Sequence, residues 1–212
     1  MSSAFVSSPT ETKAKATKRK IPAYLVRETI EGMDFYYPGF RQVLNKQKKL
    51  AEIIGDSGLH FFLKDYLYDI LKAGLDKNLY RIGCGELGFH ASVRNNMGLD
   101  VVIFDRAVLT PDKITPRYVT VAPKVVIEID VNVELPDRAS DLFQEYVIRK
   151  VDSLFKHGVE KVIWFFSKSR KVVIALPGQA WQIDDWNQDV EILDQVKVNI
   201  ADYIAREGFI LE

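Results

Sequence analysis

The sequence predicts a mixed α/β (α+β) fold, one β-sheet covered by helices, and three observations point there. A run of apolar residues at helical spacing, Leu59, Phe62, Leu63, Tyr66, Leu67, Ile70 and Leu71, comes first. Three strand-like runs follow, "LYRIGCGELGFHASV", "LDVVIF" and "KVVIEIDV". A second helical stretch, "DLFQEYVIRKVDSLFKHG", then separates these from the strand-like pair "EKVIWFF" and "RKVVIALP". Helices and strands in this order bury their apolar faces by packing helices onto a sheet. The 212 residues are 47% hydrophobic and 27% charged, enough apolar material for a substantial core.

Taken from the start, residues 1–20 are small, polar and basic, with Lys13, Lys15, Lys18, Arg19 and Lys20. They read as a disordered basic tail, with a grip on a phosphate backbone as the alternative. Residues 21–212 read as a single domain, since no linker or repeat interrupts them. A hairpin is predicted from Ala23 to Tyr37, because the pattern alternates and Glu31-Gly32 sits midway. Pro38-Gly39 ends it. "QKKLAEIIG" predicts a short helix, and Gly74 stops the longer helix after it. "LTPDKITP" is turn-rich, and Gly158 closes the helix that begins near Asp141. The end of the chain holds a segment with Trp181 and Trp186, a short strand from Val190 to Leu193, and a helix from Asn199 to Arg206.

A formal net charge of zero gives no bulk attraction to nucleic acid or anionic lipid, although a local basic patch remains compatible with it. The single cysteine, Cys84, cannot form an internal disulfide, which fits a reducing cytoplasm. No window has the unbroken apolar length of a membrane span, and the N-terminus lacks the apolar centre of a secretory signal. A cytoplasmic protein with no membrane partner is expected.

The chemistry is concentrated in "KVVIEIDVN". Side chains alternate across a strand, so Glu128 and Asp130 are expected to share a face with Val126. Ionised carboxylates there cost several kcal/mol unless they are paired or bind a metal. Asp100 opens the neighbouring apolar run, so three carboxylates could converge at one edge of the sheet. Hard oxygen donors of this kind suit magnesium, with manganese as a substitute. Salt bridges at a strand end are the competing reading. On a helical wheel of about 100° per residue, Lys150 lies at the centre of the stripe formed by Phe143, Tyr146, Val147 and Leu154. A lysine so placed either snorkels to an edge or meets a carboxylate, and Glu128 is the candidate. His157 shares that face and reads as a helix-end cap or surface histidine.

These residues resemble the Uma-two family of restriction-endonuclease-like proteins, a branch of the PD-(D/E)XK nuclease superfamily. The segments that carry the resemblance are "GLDVVIFD", "APKVVIEID" and "KVDSLFKHGVEKVIWFF". The similarity runs from about Ala23 to Ile204, with its specific part from Asp100 to Phe166. It implies a restriction-endonuclease-like mixed β-sheet core flanked by helices, and a magnesium-dependent endonuclease that hydrolyses DNA phosphodiester bonds. It implies Asp100 and Glu128 as metal-binding acids and Lys150 as the helix-borne catalytic lysine. Asp130 stands where other superfamily members keep their lysine and is expected to add to the metal site. Leu99 replaces the usual proline and Leu154 a common tyrosine. The literal proline-aspartates at Pro111-Asp112 and Pro136-Asp137 lie in turn-rich sequence, so Asp100 fits the role better. Nucleases of this fold often pair to cut both strands, which makes a homodimer the expectation by analogy. A non-catalytic nucleic-acid-binding or regulatory protein on the same fold is the alternative function.

Other signals are weaker. "GCGELG" matches a G-x-G-x-x-G pattern, but extended sequence follows it where a phosphate-cradling loop needs a helix, so a glycine-bent strand is expected. Glu86 within it is a possible accessory acid near the metal, or a solvated turn acid. His60, His90 and Cys84 lack partners at metal-ligand spacing, which argues against zinc. Trp164 reads as packing. Trp181 and Trp186 read as cover for a sheet edge, with base stacking as the alternative.

Overall fold

The computed structural model describes residues 21–137 and 141–211; the predicted basic tail lies outside them. Strands β1 (Val26–Ile30) and β2 (Met33–Tyr36) form the predicted hairpin. Glu31 and Gly32 both take positive φ, 48° and 83°, as a two-residue hairpin turn requires. Helix α1 (Phe40–Leu44) follows Gly39. The helix expected over "QKKLAEIIG" shrinks to a single 3-10 turn, Leu50–Glu52. Lys46 already has φ of 60°, which breaks a helix there, and Leu50 and Ile53 pack instead against Leu25, Tyr36 and Phe40.

Helix α2 (Gly58–Gly74) is capped by Ser57, whose hydroxyl accepts the His60 N–H at 3.2 Å. It ends at Gly74, whose missing side chain makes room for Val196: a Cβ there would lie 2.7 Å from Val196 Cγ2. The long strands β3 (Tyr80–Ser92) and β4 (Asn95–Asp105) pair antiparallel. "GCGELG" therefore lies inside a strand, bulged between Cys84 and Leu87, with Gly85 at φ of 120°.

Strand β5 (Val125–Ile129) runs parallel to β6 (Lys161–Phe166). The crossover between them carries a π-helical segment (Phe143–Ile148) that leads into α3 (Arg149–Lys156). The π turn departs from the uniform α-helix expected, and such turns are frequent beside functional sites. His157 caps α3, its Nδ1 lying 2.7 Å from the Ser153 carbonyl oxygen. Strands β7 (Lys171–Ala175) and β8 (Gln182–Asp185) extend the sheet. A two-stranded ribbon, β9 (Val190–Leu193) with β10 (Val196–Val198), and helix α4 (Ile200–Glu207) complete the chain.

The order in the main sheet is β2-β1-β4-β5-β6-β7-β8, with β3 also on β4. The core lies on both faces. Val101, Ile103, Val125, Ile127, Ile129 and Ile163 meet α2 and α4. Val102, Val126, Val162 and Trp164 meet Tyr146, Val147, Val151 and Leu154. This is a mixed sheet flanked by helices, the predicted class. Among the described residues no helix is long and apolar enough to cross a membrane.

One feature of this topology creates the site. β3 runs along one edge of β4 for nearly its full length. The opposite edge is shared: β1 meets it at Asn96 and β5 only from Val101 onward. Between them the sheet forks, and on this edge Gly98 has no strand partner. Buried peptide groups must find partners, so side chains enter the gap.

Candidate active site

Lys150 enters the gap from α3. It is fully buried, and its Nζ donates to the Gly98 carbonyl at 2.8 Å. The same ammonium lies 3.0 Å from Glu28 Oε1 and 3.1 Å from Glu128 Oε2. Tyr146, one turn earlier on the same helical face, places its hydroxyl 3.2 Å from Nζ. Glu28 comes from β1 and closes the fork from the other side, where its Oε1 also accepts the Gly98 N–H at 3.3 Å. Glu128 points to the α3 face because Val126 does, two residues earlier.

Asp100 enters from the fork's β4 edge. Its Oδ2 accepts the Ile129 N–H at 2.9 Å, which ties β4 to β5 where their ladder stops. His60 Nε2 is 3.1 Å from that oxygen, and Lys64 Nζ is 3.9 Å from Oδ1. Asn132 lies 2.7 Å from His60 Nδ1 through its amide nitrogen, so the amide donates and the ring proton belongs on Nε2, facing Asp100. Lys64 is also paired with Asp56.

Three acids and one fully enclosed ammonium give the centre its electrostatics. Burial depresses the Lys150 ammonium's affinity for its proton, but Glu128, Glu28, Tyr146 and Asp100 together more than reverse that, so it stays charged. Burial, with Asp100 and Glu28 nearby, holds the Glu128 carboxyl well above the usual range, and the attraction of Lys150 offsets this only in part. Asp100 goes the other way. Burial pushes it up, but His60, the Ile129 N–H and Lys150 outweigh that and hold it below the usual range. Two buried oxygens, Glu128 Oε1 and Glu28 Oε2, have no hydrogen-bond partner.

The structure brings Asp100, Glu128 and Lys150 to one fork, and handles the other expected residues differently. β5 ends at Ile129, and Asp130 takes φ of 57°, so the alternation that would set it beside Glu128 stops one residue short. The Asp130 carboxylate accepts the Ser167 N–H and hydroxyl, each at 2.6 Å, and its carbonyl accepts Trp164 Nε1–H at 2.7 Å. Asp130→Asn is therefore expected to lower stability by about 1–2 kcal/mol, measured by urea unfolding, while manganese affinity measured by calorimetry stays unchanged. Glu86 pairs with Arg27 at the rim of the site.

Glu28, His60 and Tyr146 were not singled out from the sequence, although signals existed. Glu28 falls between Val26 and Ile30 on one face of β1, the same pattern of an acid among apolar residues that flagged Glu128. His60 shares a helical stripe with Leu63 and Leu67. A search for metal-ligand spacing along the chain passes over it, because its partner Asp100 is forty residues away.

The donor set suits a hard divalent ion by type but is not preassembled around one. Among the described residues no group of three or more Asp, Glu, His or Cys is arranged to hold a metal ion, so Asp100, Glu128 and Asp130 do not form a ready cage. Of the expected ligands, Glu128 has an oxygen without a hydrogen-bond partner, Oε1, and Asp100 adds a carboxylate on the neighbouring strand, which fits the ion by donor type, since magnesium is usually held by one or two carboxylates plus waters and substrate phosphate.

No family model matches this chain, and no curated protein matches it. Among solved structures, the chain is similar to that described as a "putative nuclease belonging to DUF820" from Anabaena variabilis ATCC 29413. The TM-score is 0.60 at 17% identity, covering 84% of this chain and 89% of that one. At this identity the likeness shows a shared fold.

Proposed function

We propose that this chain is a metal-dependent nuclease of the Uma-two kind within the PD-(D/E)XK superfamily. It hydrolyses DNA phosphodiester bonds, with magnesium, or manganese in its place, held by Glu128 and Asp100. The observation that carries this reading is the fork itself: a fully buried ammonium shared by two carboxylates, one with a raised pKa, each with an unpartnered oxygen. A purely structural network is expected to satisfy its members, and unsatisfied buried acids with perturbed titration mark functional sites. The shared fold with the Anabaena protein supports the same class.

When bound, the metal would supply an activated water and charge neutralisation at the phosphate. The chain's own residues do the rest. Glu128 Oε1 and the Asp100 carboxylate offer anionic oxygens from adjacent strands. His60 Nε2 lies 3.1 Å from Asp100 Oδ2 and favours the ionised form of that acid. Among the described residues, Lys150 touches the polar groups of Glu28, Glu128, Tyr146 and the Gly98 carbonyl, so it acts as a positioning residue that fixes the two glutamate side chains at the fork. A homodimer would let two such centres cut both strands.

A purified sample is expected to nick supercoiled DNA with magnesium or manganese and to stop on chelation. Asp100→Ala and Glu128→Ala are each expected to lower the rate by about 10²-fold or more. Retained cleavage in both variants would overturn the assignment. A second reading, a nucleic-acid binder that hydrolyses nothing, draws on one observation: Lys150 already neutralises part of the acid cluster from within. That reading predicts DNA binding without cleavage and no magnesium binding that depends on Glu128.

A further inference from the structure

Beside the fork lies an open cavity of about 510 Å³. Its floor includes Glu28 and Gly98, the two groups that hold Lys150, so it opens directly onto the candidate centre. Its lining holds two aromatic rings, Tyr37 and Tyr118, and one cation, Arg27, beside the carboxylates of Glu28, Asp34 and Glu86. Arg27 lies 5.5 Å over the Tyr37 ring, and its charge also acts on Glu28 and Asp100. Tyr118 borders the cavity and is 59% exposed, an unusual position for a tyrosine that merely fills space.

The chain builds the Tyr118 wall in a specific way. Val119 bonds to β3 on both sides, donating its N–H to Gly88 O and accepting the His90 N–H, each at 2.9 Å. This lays the Tyr118 ring flat against Gly88, where a Cβ would come within 2.5 Å of the ring. Gly88 is thus a glycine because an aromatic ring occupies the place of its side chain. The remaining lining mixes apolar Ala23, Val26 and Met97 with Thr29, Asp34 and Asn96, which offer a hydroxyl, a carboxylate and an amide. Aromatic faces, a cation and a few hydrogen-bonding groups around a cavity of this size suit one planar, polar, phosphorylated ligand.

We propose that this cavity holds the nucleotide next to the scissile phosphate, with its base against Tyr118 and its phosphate at Arg27. The choice of ligand rests on the nuclease reading above. Arg27 is at present paired with Glu86, so a phosphate would compete with that carboxylate for the guanidinium.

The test is calorimetric titration of the full chain, in chelator, with 2′-deoxyadenosine 5′-monophosphate and with inorganic phosphate. The nucleotide is expected to bind at least about tenfold tighter than phosphate. Tyr118→Ala is expected to weaken the nucleotide by about 5- to 100-fold while leaving phosphate unaffected, and Tyr118→Phe to restore it. Arg27→Gln should weaken both ligands. Nucleotide binding no tighter than phosphate, or a Tyr118→Ala protein that binds like the wild type, overturns the proposal. Cleavage of DNA with magnesium is read separately. Tyr118-dependent nucleotide binding without cleavage would leave the cavity standing and sink the nuclease reading, whereas cleavage with no Tyr118 effect would do the reverse.

Discussion

Lys150→Met is expected to lower the stability of the metal-free protein by about 3–5 kcal/mol at neutral pH. Methionine fills most of the space of the lysine stem, so the loss is not chiefly a cavity effect. What it removes is the single charge shared by Glu28 and Glu128, together with the donor to the Gly98 carbonyl. Two carboxylates are then left buried, close to each other and to Asp100, with no cation in the fork. The pH dependence identifies the cause. Without the ammonium, carboxylates that ionise in the fork are buried with no cation, a cost that grows as pH rises. The deficit should therefore be small near about pH 4, where carboxyls are largely protonated, and grow toward neutrality. Urea unfolding at both pH values, read by tryptophan fluorescence, measures it. Adding Glu128→Gln to Lys150→Met should recover part of the loss, since the pair is coupled. A deficit under about 1 kcal/mol, or one independent of pH, would mean that Lys150 does not hold the acids as described.

The sequence displayed much of this arrangement, for identifiable reasons. Burial on both faces of β5 was legible because Val125, Val126, Ile127 and Ile129 leave no polar face, and the acid interrupting them stood out. Lys150 was legible because helical periodicity places it among Tyr146, Val147 and Leu154. The limits are equally physical. Alternation applies only while the strand continues, and Asp130 leaves it through a left-handed backbone conformation that sequence pattern does not announce. Glu28 and His60 were hidden because their significance is tertiary. Each becomes part of the site through a fork between strands that are distant along the chain, and no local period encodes which edge of β4 is left open. The 3-10 turn at Leu50–Glu52 failed as a helix for a related reason: its apolar residues serve a small separate cluster with Leu25 and Phe40.

Glu128→Gln is expected to do the opposite of Lys150→Met: to abolish metal-dependent cleavage while making the metal-free protein at least as stable as the wild type. Glutamine has nearly the same shape and can still accept from Lys150. It removes the negative charge that burial and two neighbouring acids disfavour. A carboxyl whose folded pKa is raised contributes stability that is fully present below its unfolded value of about 4.3 and is lost as pH rises through the folded value. The wild type should therefore fall behind the variant progressively as pH rises, by about 1 kcal/mol or more at alkaline pH. Function should move the other way. Without the Oε1 anion, manganese affinity should drop by at least about tenfold in calorimetry, and DNA cleavage by about 10²-fold or more. A site built for stability would lose stability on losing its acid; a site built to receive a cation keeps an acid that costs stability until the cation arrives. Should Glu128→Gln destabilise the protein at every pH and leave manganese binding untouched, Glu128 is one arm of a structural salt bridge and the fork has no catalytic purpose.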